Sequence, residues 1–338
     1  MLAIETSCDE TAAAVVASGP RLLSNVIRSQ DELHAPFGGV VPEIAARAHL
    51  QTLVPVIERA LESAGTRWEQ VDGVAVTRGP GLVGCLLVGV NVAQAIAWAR
   101  KLPVVGVSHL AAHVFAALLE EPELRPPVLG LVVSGGHSDL VRWQEDGSIA
   151  VIGRTRDDAA GEAFDKGARI LGLPFPGGPA IDRLATAGDP RAVAFPRPRA
   201  PGLDFSFSGV KTALLYEVRK RAALSEQERA DLAASYQEAI VDALLQRVEA
   251  ALFPSPVGEG GSGWGPSPTL VIGGGVARNR RLREAAQQRF GSQARLVIPA
   301  PELCTDNAAM IGAVGLIEWD RRGPDPAPFD ADPGLGFA

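Results

Sequence analysis

The segment VSHLAAHVF, residues 107–115, sets His109 and His113 four positions apart in a chain with only five histidines. On a helix that spacing puts both imidazoles on one face, about one turn apart. A helix offers two nitrogen ligands to one metal ion in this way. The spacing also suits two polar residues that hydrogen-bond locally at a helix start, and the pair alone does not choose between these readings. Asp306, in CTDNAAM at the start of the last expected helix, would complete a two-histidine, one-carboxylate set with coordination positions left open. The helix macrodipole favours an acidic residue at such a position without any metal.

Other carboxylates gather in two places. Asp9 and Glu10 sit in a polar turn near the N-terminus. Asp157, Asp158, Glu162 and Asp165 fall in RDDAAGEAFDK, where Glu162 and Asp165 share a helix face, or where the group is simply a solvated acidic helix start. Glycine turns at 79–81 (GPG), 134–136 (SGG), 176–178 (PGG) and 273–275 (GGG) add a second kind of signal. Such turns let backbone N–H groups approach a phosphate or ribose, and a following helix adds its positive end. No GxxxxGK[ST] is present and GGGVAR does not complete GxGxxG, which argues against a P-loop and a dinucleotide fingerprint.

These residues need strands and helices to hold them. LAIETSCDETAAAVV (2–16) and LGLVVSGGHSDLVRW (129–143) both read as strand, small polar turn, strand, so the chain is expected to contain a duplicated αβ domain. Strands are also expected at 71–77 and 103–108, and helices at 43–63, 159–171, 178–187, 208–222 and 225–252. GPGLVG opens a long helix to Arg100, and Ser108 is a good N-cap for the helix of the histidine pair. Residues 269–288 read as strand, glycine turn, helix. Thr305 is the expected cap of the last helix. Residues 253–268 read as a flexible loop, and the stretch from 322 to 338 as a poorly ordered tail.

Composition narrows the class. A chain of 338 residues suggests two domains of about 150 residues each. Its 46% hydrophobic and 21% charged content fits a globular protein. The net charge of −7 argues against a free-standing, high-affinity nucleic-acid binder, because that affinity rests on neutralising phosphates. Arginines at 278, 280, 281 and 283, with three more in PRAVAFPRPRAPG (190–202), leave room for local phosphate contacts. Three scattered cysteines without a CxxC pair, and an N-terminus lacking a basic segment before an apolar one, point to the cytoplasm. GLVGCLLVGVNVAQAIAWA is punctuated by Gly, Asn and Gln and reads as a buried helix, so no membrane is expected.

The chain resembles the TsaD (YgjD/Gcp) family, the catalytic subunits of tRNA N6-adenosine threonylcarbamoyl transfer. The resemblance runs from residue 2 to about 320. It is carried by IETSCDETA (4–12), HAPFGGVVPEIAARAH (34–49), GPGLVGCLLVG (79–89), SHLAAH (108–113) and VVSGGHSDL (132–140). It continues through DDAAGEAFDKGARILGLPFPGGPAID (157–182), GLDFSFSGVKTAL (202–214), GGGVARN (273–279) and CTDNAAMI (304–311). All five histidines, including His34, His49 and His137, fall inside these stretches.

The resemblance implies an α/β protein of the actin, hexokinase and Hsp70-like (ASKHA) fold, with two duplicated RNase-H-like domains and an interdomain nucleotide cleft. The first domain is expected over 1–115, completed by a C-terminal helix at 300–321, and the second over 116–299. It further implies His109, His113 and Asp306 as ligands of one divalent metal, Fe(II) or Zn(II). Val132, Val133, Ser134, Gly135 and Gly136 would line the phosphate and acyl-adenylate region. Asp165, Gly178 and Asp182 would contact ribose, and Asn279 the adenosine side. The implied reaction moves a threonylcarbamoyl group from threonylcarbamoyl-AMP to N6 of the adenosine 3′ of the anticodon in tRNAs reading ANN codons. Asp9 or Glu10 would accept the amine proton. ATP or ADP in the cleft, a TsaB-like paralogue and a TsaE-like ATPase are the further ligand and partners it implies. Three alternatives stand beside it: a metal-dependent protease, a small-molecule kinase of the same fold, and a non-catalytic scaffold like the TsaB paralogue. The protease lacks its general base, since HExxH would need Glu where Leu110 stands.

Overall fold

Ten strands form two five-stranded sheets in a computed structural model that describes residues 1–197, 200–254, 264 and 267–337. The strands are β1 (Leu2–Glu5), β2 (Glu10–Ala17), β3 (Arg21–Ser29), β4 (Val74–Gly79), β5 (Val104–Ser108), β6 (Val128–Val133), β7 (Ser138–Trp143), β8 (Ile149–Arg154), β9 (Thr269–Gly273) and β10 (Arg295–Val297). One sheet has the order β3-β2-β1-β4-β5 and the other β10-β9-β6-β7-β8. Read from its antiparallel edge, the second sheet repeats the first strand for strand. In each, a hairpin supplies the central strand, β1 or β6. In each, two parallel neighbours extend the far side. The two hairpins seen in the sequence are therefore the nuclei of two copies of one RNase-H-like sheet.

The chain divides into one unit of Met1–Leu124, Gly147–Ile149 and Pro299–Ala338, and a second of Arg125–Asp146 and Ala150–Ile298. Residues 116–124, expected in the second domain, join the first, because the turn Ala116–Leu119 runs straight on from the helix His109–Phe115 and is buried there. The central strands are buried on both faces, and LAIE and VLGLVV are accordingly apolar almost throughout. In the first unit Leu2, Ile4 and Val76 pack with Leu53 and Ile57 of the helix Pro42–Ser63. Val90 and Ala93 of the helix Val83–Arg100 join the same core. This last helix is long and apolar enough to cross a bilayer. It buries Cys85, Leu86, Val90, Ala93 and Ala97 but exposes Val83, Leu87 and Trp98, so the expected buried helix is buried on part of its surface only.

The expected elements appear with shifts of a few residues, and β3, β8 and β10 appear where none was expected. β3 (RLLSNVIRS) mixes polar and apolar side chains because it lies at a sheet edge. Two end assignments change. Asn307, not Thr305, caps the last helix, Ala308–Arg322: its Oδ1 accepts from the Met310 N–H at 3.0 Å. The segment after Arg321 is not loose. Asp325 donates its N–H to the Val104 carbonyl, and Phe337 is buried. Most of the loop expected over 253–268 lies outside the described residues.

Candidate metal and acyl-transfer site

Ser108 ends β5 in an extended conformation, and its Oγ accepts from the Ala111 N–H at 3.3 Å, which starts the helix of the histidine pair at His109. The i, i+4 spacing then brings the two imidazoles together, with ring centroids 4.8 Å apart and planes at 81°. Asp306 arrives from the turn between the short helix Pro301–Cys304 and the cap Asn307, so it lies just outside the last helix and not inside it. Its Oδ1 stands 3.5 Å from His109 Nε2 and 3.4 Å from His113 Nε2. One ligand atom from each of the three residues falls within 4.8 Å of the others.

The donor set fits a metal. Among the described residues Nδ1 of fully buried His113 has no hydrogen-bond partner, and its Nε2 meets only the 3.4 Å charge contact with Asp306, although such atoms are normally satisfied. Metal–nitrogen and metal–oxygen bonds of about 2.0–2.2 Å at tetrahedral angles would hold ligand atoms about 3.3–3.6 Å apart. The gaps from Asp306 to both histidines lie in that range. Burial pushes His113 towards its neutral form, the form that ligates. For Asp306 burial favours the neutral acid, but the charge and hydrogen bond of His109, followed by His113, outweigh it and hold the carboxyl well below the usual range.

Glu5 is the residue that sequence reasoning missed. It is fully buried at the end of β1, and its Oε2 lies 2.9 Å from His109 Nδ1. Thr77 donates its hydroxyl to the same oxygen at 2.7 Å, and the Ser7 N–H donates to Oε1. The Ser7 Oγ also reaches His109 Nδ1 at 3.2 Å. A carboxylate on one ring nitrogen fixes the tautomer and turns the other nitrogen, Nε2, towards Asp306 and His113. The available signal was an acid ending the apolar run LAIE, a place where an unpartnered carboxylate would be costly.

The other two histidines of this unit are satisfied core residues. His49 meets Thr11 Oγ1 at 2.8 Å and the Cys8 carbonyl at 2.9 Å, while His34 Nδ1 accepts from the Val41 N–H. Asp9 lies in the turn after β1 and Glu10 opens β2, both half-buried. Burial, then the charges of Asp306 and Asp9, push the Glu10 carboxyl well above its ordinary value.

In the second unit, Val132 and Val133 are fully buried in β6, so they act by placing the turn that follows. Ser134 closes that turn by donating its N–H to the His137 carbonyl at 2.8 Å, which leaves Gly135 and Gly136 exposed. Asp165 Oδ1 accepts from the Gly177 N–H at 2.8 Å and so holds the first turn of the helix Gly177–Ala185, where Gly178 is half-buried. Asp182 Oδ2 accepts from the Arg280 N–H at 3.4 Å, while its buried Oδ1 has no partner among the described residues. Asn279 is an N-cap: Oδ1 accepts from the Leu282 N–H, and Nδ2 donates to Gln237 Oε1 at 2.6 Å. Both ends of its amide are thus engaged within the protein.

The acidic segment is structural as well. Asp157 Oδ1 accepts from the Phe207 N–H, Asp158 pairs with Lys166 and Lys211 at 2.7 Å, and Glu162 pairs with Lys166 at 2.8 Å. Among the arginines, Arg281 is held by both carboxylate oxygens of Glu238 at 2.6 and 2.8 Å, Arg197 pairs with Asp242, and Arg199 lies outside the described residues. Arg278 and Arg280 are the exposed members of the 278–283 cluster. Neutralising these two is expected to lower the slope of log tRNA affinity against log salt by about 1–2. Arg281→Ala should leave the slope unchanged, and filter binding across a salt series checks both.

The doubled sheet defines a protein of the actin, hexokinase and Hsp70-like class, and solved structures share that fold. Component A of (R)-2-hydroxyglutaryl-CoA dehydratase from Acidaminococcus fermentans is 15% identical, with a TM-score of 0.53 over 94% of this chain and 98% of that one. Full-length HypF, in its phosphate- and nucleotide-bound form, is 12% identical, with a TM-score of 0.58 over 82% of this chain and 51% of its own. Within that class the chain belongs to the TsaD family, tRNA N6-adenosine threonylcarbamoyltransferase, whose profile matches residues 21–313. The tRNA N6-adenosine threonylcarbamoyltransferase of Symbiobacterium thermophilum is 49% identical over 100% of this chain and 96% of its own. The enzyme of the same description from Anaeromyxobacter dehalogenans is 52% identical over 98% of each. The chain is therefore an acyltransferase that acts on tRNA, and the protease and kinase readings fall away.

Proposed function

We propose that the chain transfers the threonylcarbamoyl group of threonylcarbamoyl-AMP to N6 of the adenosine 3′ of the anticodon in tRNAs reading ANN codons, with release of AMP. The observation that carries this reading is the His109–His113–Asp306 set: both histidines are buried, His109 is oriented by Glu5, and His113 Nδ1 has no hydrogen-bond partner among the described residues. His109, His113 and Asp306 would hold one divalent ion, Fe(II) first and Zn(II) second. When bound, it supplies a Lewis acid and positive charge for phosphate oxygens.

An exocyclic amine is a weak nucleophile, so the protein must orient it and remove its proton as the carbamoyl carbon is attacked. The bond from that carbon to the phosphate oxygen breaks, and AMP leaves with the electron pair. Of Asp9 and Glu10, Asp9 is assigned as the base, since burial and the charges of Asp306 and Asp9 favour the protonated form of Glu10. The exposed amides of Gly135 and Gly136 suit the developing phosphate charge. Asp165, Gly178 and Asp182 are assigned to ribose. Asn279 serves the adenosine side by shaping the backbone before the helix Arg280–Phe290, since its amide is engaged. ATP or ADP can occupy the adenylate's place. A TsaB-like paralogue and a TsaE-like ATPase are the proposed partners, and the cytoplasm the proposed location.

Asp165→Ala tests the adenylate site. Loss of a charged hydrogen bond to ribose, about 1.5–3 kcal/mol, weakens nucleotide binding roughly tenfold to a hundredfold. Calorimetry with AMP or ATP reads this directly. Unchanged affinity with a lowered melting temperature would reduce Asp165 to its structural bond with Gly177.

A further inference from the structure

The segment after Gly323 lies beyond the family profile, which ends at residue 313, yet it is bonded to both turns that lead into the metal set. β5 is an edge strand, and an edge leaves a row of outward N–H and C=O groups. Here they are taken up. Asp325 donates its N–H to the Val104 carbonyl and accepts from the Gly106 N–H at 2.7 Å. Arg322, paired with Asp325 at 2.9 Å, donates to the Gly106 carbonyl. Phe329 packs against Gly106, where any Cβ would stand 2.8 Å from its ring, and its carbonyl accepts from Gln94 Nε2. The segment then crosses to β4: Asp332 donates its N–H to the Arg78 carbonyl at 2.8 Å, and its own carbonyl fills the space beside Gly79. Lastly Gly336 accepts the Ser108 hydroxyl at 2.6 Å, and Phe337 is buried.

Both ends of this path reach the candidate site. Ser108 is the cap that starts the helix of His109 and His113. The turn after Gly79 is bonded to the β1 turn through the Leu82 N–H and the Ser7 carbonyl at 2.8 Å, and Ser7 Oγ touches His109. We propose that residues 324–337 form a positioning strap. By closing the outer edge of β5 and fixing the Ser108 hydroxyl, the strap sets the start of the metal-bearing helix and hence the spacing of its ligands. The proposal rests on the metal reading of His109, His113 and Asp306. The strap touches no ligand itself; Ser108 is a positioning residue.

The test measures Zn(II) affinity of the full chain by competition with a chromophoric chelator, with circular dichroism as the check on folding. The variants are Ser108→Ala, Ser108→Thr and a chain ended after Leu335, which keeps the Ser108 cap but removes its partner. Loss of a group that orients a metal ligand weakens binding about tenfold or more, so this is expected for Ser108→Ala and for the shortened chain. Ser108→Thr, which keeps the hydroxyl, should bind like wild type. Transfer should lose kcat in parallel, with KM for threonylcarbamoyl-AMP unchanged. Zn(II) affinity within about twofold of wild type in folded Ser108→Ala overturns the strap, and that variant decides the matter if the shortened chain does not fold. A wild-type chain that binds no Zn(II), or binds it equally after His109→Ala, overturns the metal reading itself, a different result from failure of the strap alone.

Discussion

His109→Ala and Asp306→Ala each lose the bound metal and nearly all transfer activity. Each removes one of three protein donors from a set whose remaining members cannot enclose an ion. The charge stabilisation lost with a metal is several kcal/mol, so the rate falls by about 10³-fold or more. The two variants differ in their side effects. Asp306 comes from a turn and is partly exposed, so its removal leaves the fold intact. His109 is the partner of buried Glu5, and its loss strands a carboxylate, lowering stability by about 1–3 kcal/mol. Elemental analysis and thermal melting separate these effects, and full metal occupancy in either variant would defeat the ligand assignment.

The second large effect is expected at the β1 turn. Asp9→Asn removes the proposed proton acceptor without changing size, and kcat should fall by about 10²–10⁴-fold with metal content and melting unchanged. Glu10→Gln should cost far less. Burial and the charges of Asp306 and Asp9 favour the protonated form of Glu10, and an amide mimics that neutral form closely. A ranking in which Glu10→Gln is the more damaging variant would transfer the base to Glu10.

The sequence carried the parts of this fold that depend on local pattern. Two apolar–polar–apolar runs became the β1–β2 and β6–β7 hairpins, because strand alternation and small turns are written in neighbouring residues. His109 and His113 were legible for the same reason, since an i, i+4 pair needs only a helix to bring it together. Asp306 stands almost two hundred residues away; a lone carboxylate before a helix has several uses, and only the fold brings it to the histidines. Glu5 was hidden at the end of a strand, and its partners come from elsewhere in the chain: His109 from the helix after β5 and Thr77 from β4. The arginine run 278–283 misled in the opposite direction. Sequence shows the charge on Arg281 but not the Glu238 that neutralises it from another helix. The tail was misjudged because proline and glycine content conceals contacts made by main-chain groups of Asp325, Asp332 and Gly336.

The most direct test of the account follows label from threonylcarbamoyl-AMP, with and without the paralogue and ATPase partners. The chain is supplied with tRNA bearing adenosine 3′ of the anticodon, with the same tRNA lacking it, or with no tRNA. The account predicts one AMP released for each threonylcarbamoyl group fixed on that adenosine. Release should stop on chelation and recover with Fe(II) or Zn(II). AMP release that proceeds equally without tRNA, or transfer that continues in the Asp306→Ala chain, would contradict it.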